Sequence, residues 1–153
     1  MRDLNMNKQE EREMYNVTVQ YSHHTDNQKE RLGEMDLAKA LETYDGFDWI
    51  GEVERADKLQ KSAPTLAFED KAKGKLLWLS AYAPRGSLLF VSECNFPGEV
   101  TKLFGLLKRQ GTVKLSSGDL TTGQAREAIE LFYTDADKAL RKLYSPYITE
   151  LDE

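Results

Sequence analysis

Cysteine is nearly absent from this chain of 153 residues: Cys94 stands alone, which excludes an internal disulfide. Its place in an apolar stretch reads as a small buried side chain in a reducing compartment. Histidine is almost as scarce. His23 and His24 are adjacent, and neighbours on an extended segment point to opposite sides, so they are badly placed to share a metal; no Cys or acidic cluster nearby completes a ligand set, and a solvated loop is expected. No apolar run approaches the roughly 20 residues of a membrane span. The start, Met1-Arg2-Asp3-Leu4-Asn5, lacks the apolar core of a signal peptide, so the expected location is the cytoplasm, with no membrane partner. The glycines of Gly105 to Gly111 and Gly118 to Gly123 have neither GxGxxG spacing nor a following Lys-Ser/Thr, so no phosphate loop is present.

What the chain does have is one ordinary domain's length, enough to remove about 70% of its extended surface from water. Three strands are read between Thr65 and Phe96. Leu66 and Phe68 alternate with polar or small neighbours, while Leu76 to Leu79 and Leu88 to Val91 are nearly unbroken apolar runs. The five-residue breaks between them, each holding a Gly, suit antiparallel hairpins. Strands apolar on both faces are expected to lie centrally and to be covered on both faces.

Ahead of this meander, Tyr15, Val17, Val19 and Tyr21 alternate with polar residues, the pattern of an outer strand with one wet face; Ser22 to Arg31 reads as a polar connection. Asp36 is placed to cap a helix with the apolar face Leu37, Ala40, Leu41 and Tyr44. The next segment fits either a helix capped by Asp48, with Trp49, Ile50, Val53 and Ala56 along one side, or a strand through Phe47, Trp49 and Val53 interrupted at Gly51; the good helix formers of Glu52 to Lys61 favour the helix. After the meander, Val100, Leu103, Phe104 and Leu107 have helical spacing, and Gly111 reads as the stop. Thr112 to Leu115 is extended, and Ser116 to Asp119 is a loop by composition. Thr121 and Gln124 have capping-box spacing for a helix burying Ala125, Ala128, Ile129 and Phe132, and Asp135 would cap a last helix that Pro146 terminates. The expected architecture is α+β: an antiparallel sheet of about four to five strands, with residues 65–96 as its central meander, packed by N-terminal and C-terminal helices. Residues 1–13 form a flexible arm, 14–148 one domain and 149–153 a tail.

Charge is unevenly placed. The formal total is −5, which argues mildly against nucleic acid. Residues 1–60 carry 14 acids against 8 bases, residues 61–121 carry 5 against 9, and residues 122–153 carry 7 against 4. The acids concentrate between Glu34 and Asp57, a face suited to a basic protein. Lys71, Lys73, Lys75 and Arg85 make a modest basic patch without interleaved aromatics for base stacking, so no nucleic-acid partner is expected. A nucleophile needs a base within reach. Here the histidines lie in a loop while Cys94 and Ser92 lie in a central strand, so no catalytic residues, cofactor or metal are assigned.

The helix from Asp36 to Tyr44, the acidic Trp-containing segment after it, the strands Pro64 to Phe68 and Leu76 to Ser80, and Leu120-Thr121-Thr122-Gly123-Gln124-Ala125-Arg126-Glu127-Ala128-Ile129-Glu130-Leu131-Phe132-Tyr133 together resemble the small α+β immunity proteins of bacterial polymorphic toxin systems. The resemblance implies a cytoplasmic, non-catalytic protein that binds and neutralises a cognate toxin or effector domain. The candidate partner-binding residues are Tyr44, Asp45, Asp48, Trp49, Glu52, Glu54 and Asp57, with Phe47 a further aromatic anchor. Two other classes stay open. One is a small-molecule-binding or enzymatic domain with a pocket lined by Trp78, Tyr82, Phe90 and Phe96. The other is an adaptor or chaperone for a secreted protein, pairing through an exposed strand at Tyr15 to Tyr21.

Overall fold

A computed structural model describes residues 13–25, 28–59, 62–102, 107–144 and 148–152, without the side chains of 101–102 and 148–152. The strands are β1 (Tyr15–Gln20), β2 (Glu30–Met35), β3 (Thr65–Asp70), β4 (Lys75–Tyr82), β5 (Leu89–Lys102), β6 (Leu107–Leu120) and β7 (Ile148–Asp152). The helices are α1 (Leu37–Gly46), α2 (Trp49–Leu59), α3 (Thr122–Tyr133) and α4 (Asp137–Tyr144). All seven strands form one antiparallel sheet in the order β2-β1-β3-β4-β5-β6-β7. The protein is therefore α+β, with more strands than the four to five expected.

Two extra strands, β2 and β7, come from stretches with weak patterns, and a third such stretch lengthens β5 and β6. β2 lies in what reads as a polar connection, because its side chains before Met35 are mostly exposed. Residues 148–152 pair with β6 instead of trailing as a tail. The expected helix after Pro97 is instead an arm of β5 and β6, and its Leu103 and Phe104 lie outside the described residues. β5 loses its β4 neighbour after Asn95 and pairs onward with β6 alone; a ladder with one free side tolerates the missing N–H of Pro97. Gly111 and Ser116 to Asp119 belong to β6, not to a stop and a loop.

The helical patterns hold better. Asp36 Oδ1 accepts from the Lys39 N–H at 2.9 Å, capping α1. Asp48 Oδ1 accepts from Gly51 at 3.2 Å at the head of α2. Thr121 and Gln124 make both bonds of the capping box that opens α3. Such caps satisfy N–H groups that a helix start leaves without partners. Asp135 does not cap α4; it has a positive φ of 53° and its carboxylate pairs with Lys75 instead.

All four helices cover the same face of the sheet. Tyr15 and Phe68 pack on Tyr133 of α3; Phe90 packs on Tyr44 and Trp49 of α1 and α2; Ser92 meets Tyr144 of α4. Burial alternates accordingly, with Leu77 and Leu79 of β4 inside and Leu76, Trp78 and Ser80 half-buried on the opposite face. β3, β4 and β5 are central as expected, but no helix among the described residues covers their second face. Leu76 and Trp78 face outward there instead of into a second core layer.

Candidate functional site

The uncovered face is organised by strand register. Directly paired residues of antiparallel strands share a face, so Thr18, Ala67, Trp78, Glu93 and Ser116 form one row across β1, β3, β4, β5 and β6. Trp78 stands in the middle, and the small side chain of Ala67 cannot wall it in. A hollow of about 550 Å³ lies on one side, bounded by Trp78, Val91, Glu93, Ser116, Gly118 and Asp119 among others. A second of about 410 Å³ includes Thr18, Gln20, Lys29, Thr65, Glu69 and Trp78. The indole N–H of Trp78 makes no hydrogen bond among the described residues, and no ring there stacks on it.

Around Trp78 the polar groups are partly tied down. Glu93 Oε1 lies 3.3 Å from Lys114 Nζ and accepts from Asn95 Nδ2 at 3.0 Å. Asn95 Oδ1 is buried without a partner among the described residues. The Ser117 hydroxyl donates to Asp119 at 3.1 Å. Val91, in the neighbouring row, is 39% exposed. The face thus offers an aromatic centre, adjoining apolar carbons and a rim of carboxylate, ammonium, amide and hydroxyl groups.

The residues singled out from sequence lie elsewhere, at the corner between α1 and α2. Tyr44 and Trp49 are 5% and 6% exposed and belong to the core. Tyr44 OH donates to the Thr122 carbonyl at 2.8 Å, and the Trp49 indole donates to the Tyr44 carbonyl at 3.1 Å. Burial pushes the Tyr44 phenol up to about 12. Phe47 is half-buried against Trp49. Glu52 is buried too, bound by Ser22 and Arg55. Burial pushes its carboxyl up, but the Ser22 N–H, the Arg55 guanidinium and the Ser22 hydroxyl outweigh this and hold it below the usual carboxylate range.

Asp45 is exposed and held by Arg126 of α3, Nε to Oδ1 at 3.0 Å, a hydrogen bond that keeps its carboxyl below the usual range. Asp48 pairs with Arg55 at 3.4 Å. Glu54 and Asp57 are exposed and make no salt bridge among the described residues. They rim a notch of about 220 Å³ between α2 and the β4–β5 loop. Ile50, read from sequence as part of the buried side of α2, is 64% exposed at this notch.

The pocket expected around four aromatics does not form, because Trp78 and Tyr82 lie on the open face while Phe90 and Phe96 are buried under the helices. β1 is not an outer strand either, since it pairs with β2 on one side and β3 on the other. Lys75 leaves the expected basic patch: its ammonium is buried between the rings of Tyr15 and Phe132, at 5.3 and 5.0 Å.

Ser92, Cys94 and His24 are enclosed, while His23 is exposed. Ser92 donates to the Trp78 carbonyl at 2.8 Å and lies 2.6 Å from Tyr144 OH. Cys94 is buried, and its thiol is raised by desolvation. His24 Nδ1 accepts from the Tyr21 N–H at 3.0 Å. Among the described residues no group of His, Cys, Asp and Glu is arranged to hold a metal. No family model, curated protein or solved structure matches this chain.

The signal that would have found the open face was available in β4. Trp78 is flanked by Leu77 and Leu79, and its own row partners, Ala67 and Glu93, are a small residue and a charge. That pairing is poor for a second core layer, but it depends on register that sequence does not state.

Proposed function

We propose that this chain is a cytoplasmic binding protein of the bacterial immunity type, which neutralises a protein toxin by lying over it and performs no reaction itself. Trp78 carries the reading: a half-buried indole whose N–H has no partner among the described residues, at the centre of a sheet face that none of the described helices covers, and ringed by polar groups. Binding energy at protein interfaces concentrates in such aromatic anchors, with a polar rim that excludes water. Opposite charges along Glu69, Glu93, Asp119, Lys29, Lys71 and Lys114 would set register on the partner more than affinity.

The face also indicates what else must take part. Five strand rows spaced by about 4.8 Å and roughly six residues long give on the order of 400 Å², about half of what each side of a stable complex buries. Further surface must therefore contribute. The acidic corner at Asp45, Asp48, Glu54 and Asp57, carried by the helix layer behind the sheet, is the part suited to a basic toxin that reaches round the edge.

The experiment is co-purification with the C-terminal domain of the protein encoded beside this gene, followed by titration of the purified pair. Micromolar or tighter binding that Trp78→Ala weakens at least tenfold supports the reading; no binding by the folded chain defeats it. A second reading, a small-molecule binder, is favoured by the size of the hollow beside Trp78, which falls within the range of ligand sites. Thermal stabilisation by a metabolite mixture, lost in Trp78→Ala, would select it.

A further inference from the structure

We infer that the notch between α2 and the β4–β5 loop receives an arginine side chain of the protein partner. This rests on the reading above that the partner is a protein, and it assigns that partner a chemistry the open face does not.

The notch is lined by the apolar side chains of Ile50, Val53, Ala83 and Leu88 and by two carboxylates, Glu54 and Asp57. Its volume of about 220 Å³ is below the roughly 300 Å³ where small-molecule sites begin, and suits one long side chain. Arginine combines an aliphatic stem that gains from apolar cover with a guanidinium that forks onto carboxylates. Lysine offers the same stem but only a point charge.

Local charge bookkeeping singles out these two acids. Nearby, Lys39 is paired with Glu42, Arg55 with Glu52 and Asp48, and Arg126 with Asp45 and Glu130. Glu54 and Asp57 remain without such a cation among the described residues. Lys58 is exposed on the same helix, and Arg85 lines the hollow on the other side of the loop, so neither closes the notch.

Two further features support an occupant. Ile50 is the most exposed large apolar side chain of the described residues, at 64%. Gly86, with a φ of +80° and no atom within 4 Å of where a Cβ would stand, leaves the mouth unobstructed. The notch lies beside the hairpin end whose strands carry part of the open face. The loop that walls it joins Tyr82 to Leu89, a directly paired couple on that face, so one partner can engage both sides of the hairpin end.

The test uses the full chain labelled at isoleucine, leucine and valine methyls, titrated with acetyl-Gly-Arg-Leu-Gly-amide and with the same peptide carrying lysine or citrulline in place of arginine. The expected result is that Ile50 and Val53 methyl signals move with the arginine peptide, less with lysine and not with citrulline. Glu54→Gln with Asp57→Asn, both surface changes that spare the core, is expected to weaken the arginine peptide roughly tenfold, while Glu127→Gln, an exposed carboxylate on α3, leaves it unchanged. Equal shifts with citrulline, or shifts that persist in the double variant, would overturn the inference. So would still methyls at millimolar arginine peptide. A toxin that binds through Trp78 with unchanged affinity for the double variant would sink the notch but spare the proposed function; loss of all toxin binding by the wild-type chain would sink the proposed function instead.

Discussion

Glu52 on α2 accepts two hydrogen bonds from Ser22, one from its backbone N–H at 2.9 Å and one from its hydroxyl at 3.1 Å. The pair ties the turn after β1 to the second helix, thirty residues along the chain. Because these bonds and Arg55 hold the Glu52 carboxyl below its ordinary value, its contribution to stability is complete above the unfolded-state value near pH 4.3. It is lost as pH falls through the lower, folded-state value. Glu52→Gln is therefore expected to cost about 1–3 kcal/mol at pH 7, with the gap to wild type narrowing below about pH 4. Urea unfolding at several pH values measures this; a gap that does not change with pH would show that the charge is not what Ser22 requires.

Asp135→Asn tests the buried ammonium of Lys75. That ammonium meets the Phe132 carbonyl at 3.4 Å, two aromatic rings and the Asp135 carboxylate. Asparagine keeps the positive φ accessible but removes the counter-charge. Since the Asp135 side chain is 56% exposed, solvent screens the pair, and the expected loss is about 1–2 kcal/mol, short of the cost of breaking a fully buried pair. Lys75→Met, which removes charge and desolvation together, should restore part of that loss. Thermal unfolding of the three proteins decides it.

The charge at Asp45 is expected to matter little for stability. Its partner Arg126 is also bonded to Glu130, and all three side chains are partly exposed, so Asp45→Lys should leave the folding stability little changed, read as an unshifted urea midpoint. Its effect on partner association should appear mainly in the on-rate and its salt dependence. Stopped-flow association at low and high salt reads both.

Trp49 and Trp78 should report separately in fluorescence. Trp49 is 6% exposed while Trp78 stands half-buried on the open face. Acrylamide is expected to quench Trp49→Phe, which retains Trp78, several-fold more efficiently than Trp78→Phe. Equal quenching would mean that the second face is covered in solution.

Cys94 should be silent to thiol reagents in the folded protein. Its side chain is fully buried and its thiol is raised by desolvation, and both suppress the reactive thiolate. Reaction with a chromogenic disulfide is expected only at the rate of unfolding, so a stabilising condition should slow it in parallel.

How far the sequence reveals this depends on which physical signal each part uses. Helix α3 is legible because Thr121 and Gln124 encode its start chemically, and Ala125, Ala128, Ile129 and Phe132 share the helical period. The hairpins of β3, β4 and β5 are legible through their turns and apolar runs. β2 is not, because as an edge strand it buries little beyond Met35. The long arm is misread because Val100 and Leu107 happen to fit a helical period while facing one partner strand. As for the site, the acidity of residues 34–57 is visible but not its destination: Glu52 is spent on Ser22 and Arg55, Asp45 on Arg126, and Tyr44 and Trp49 on the core. The open face needs the register of five strands before Trp78 stands out.

The position of β1 between β2 and β3 has a consequence for how the chain is made. During synthesis β1 and β2 emerge first, and a lone two-stranded hairpin is marginal in water. Its Val17 and Val19 lack their β3 neighbour for about forty-five residues, and Tyr15 stays uncovered until α3 supplies Phe132 and Tyr133. From β3 onward each of β4, β5 and β6 adds to the strand just made. Nascent chains arrested before Asp70 should consequently be recognised by chaperones, and those released beyond Tyr133 far less.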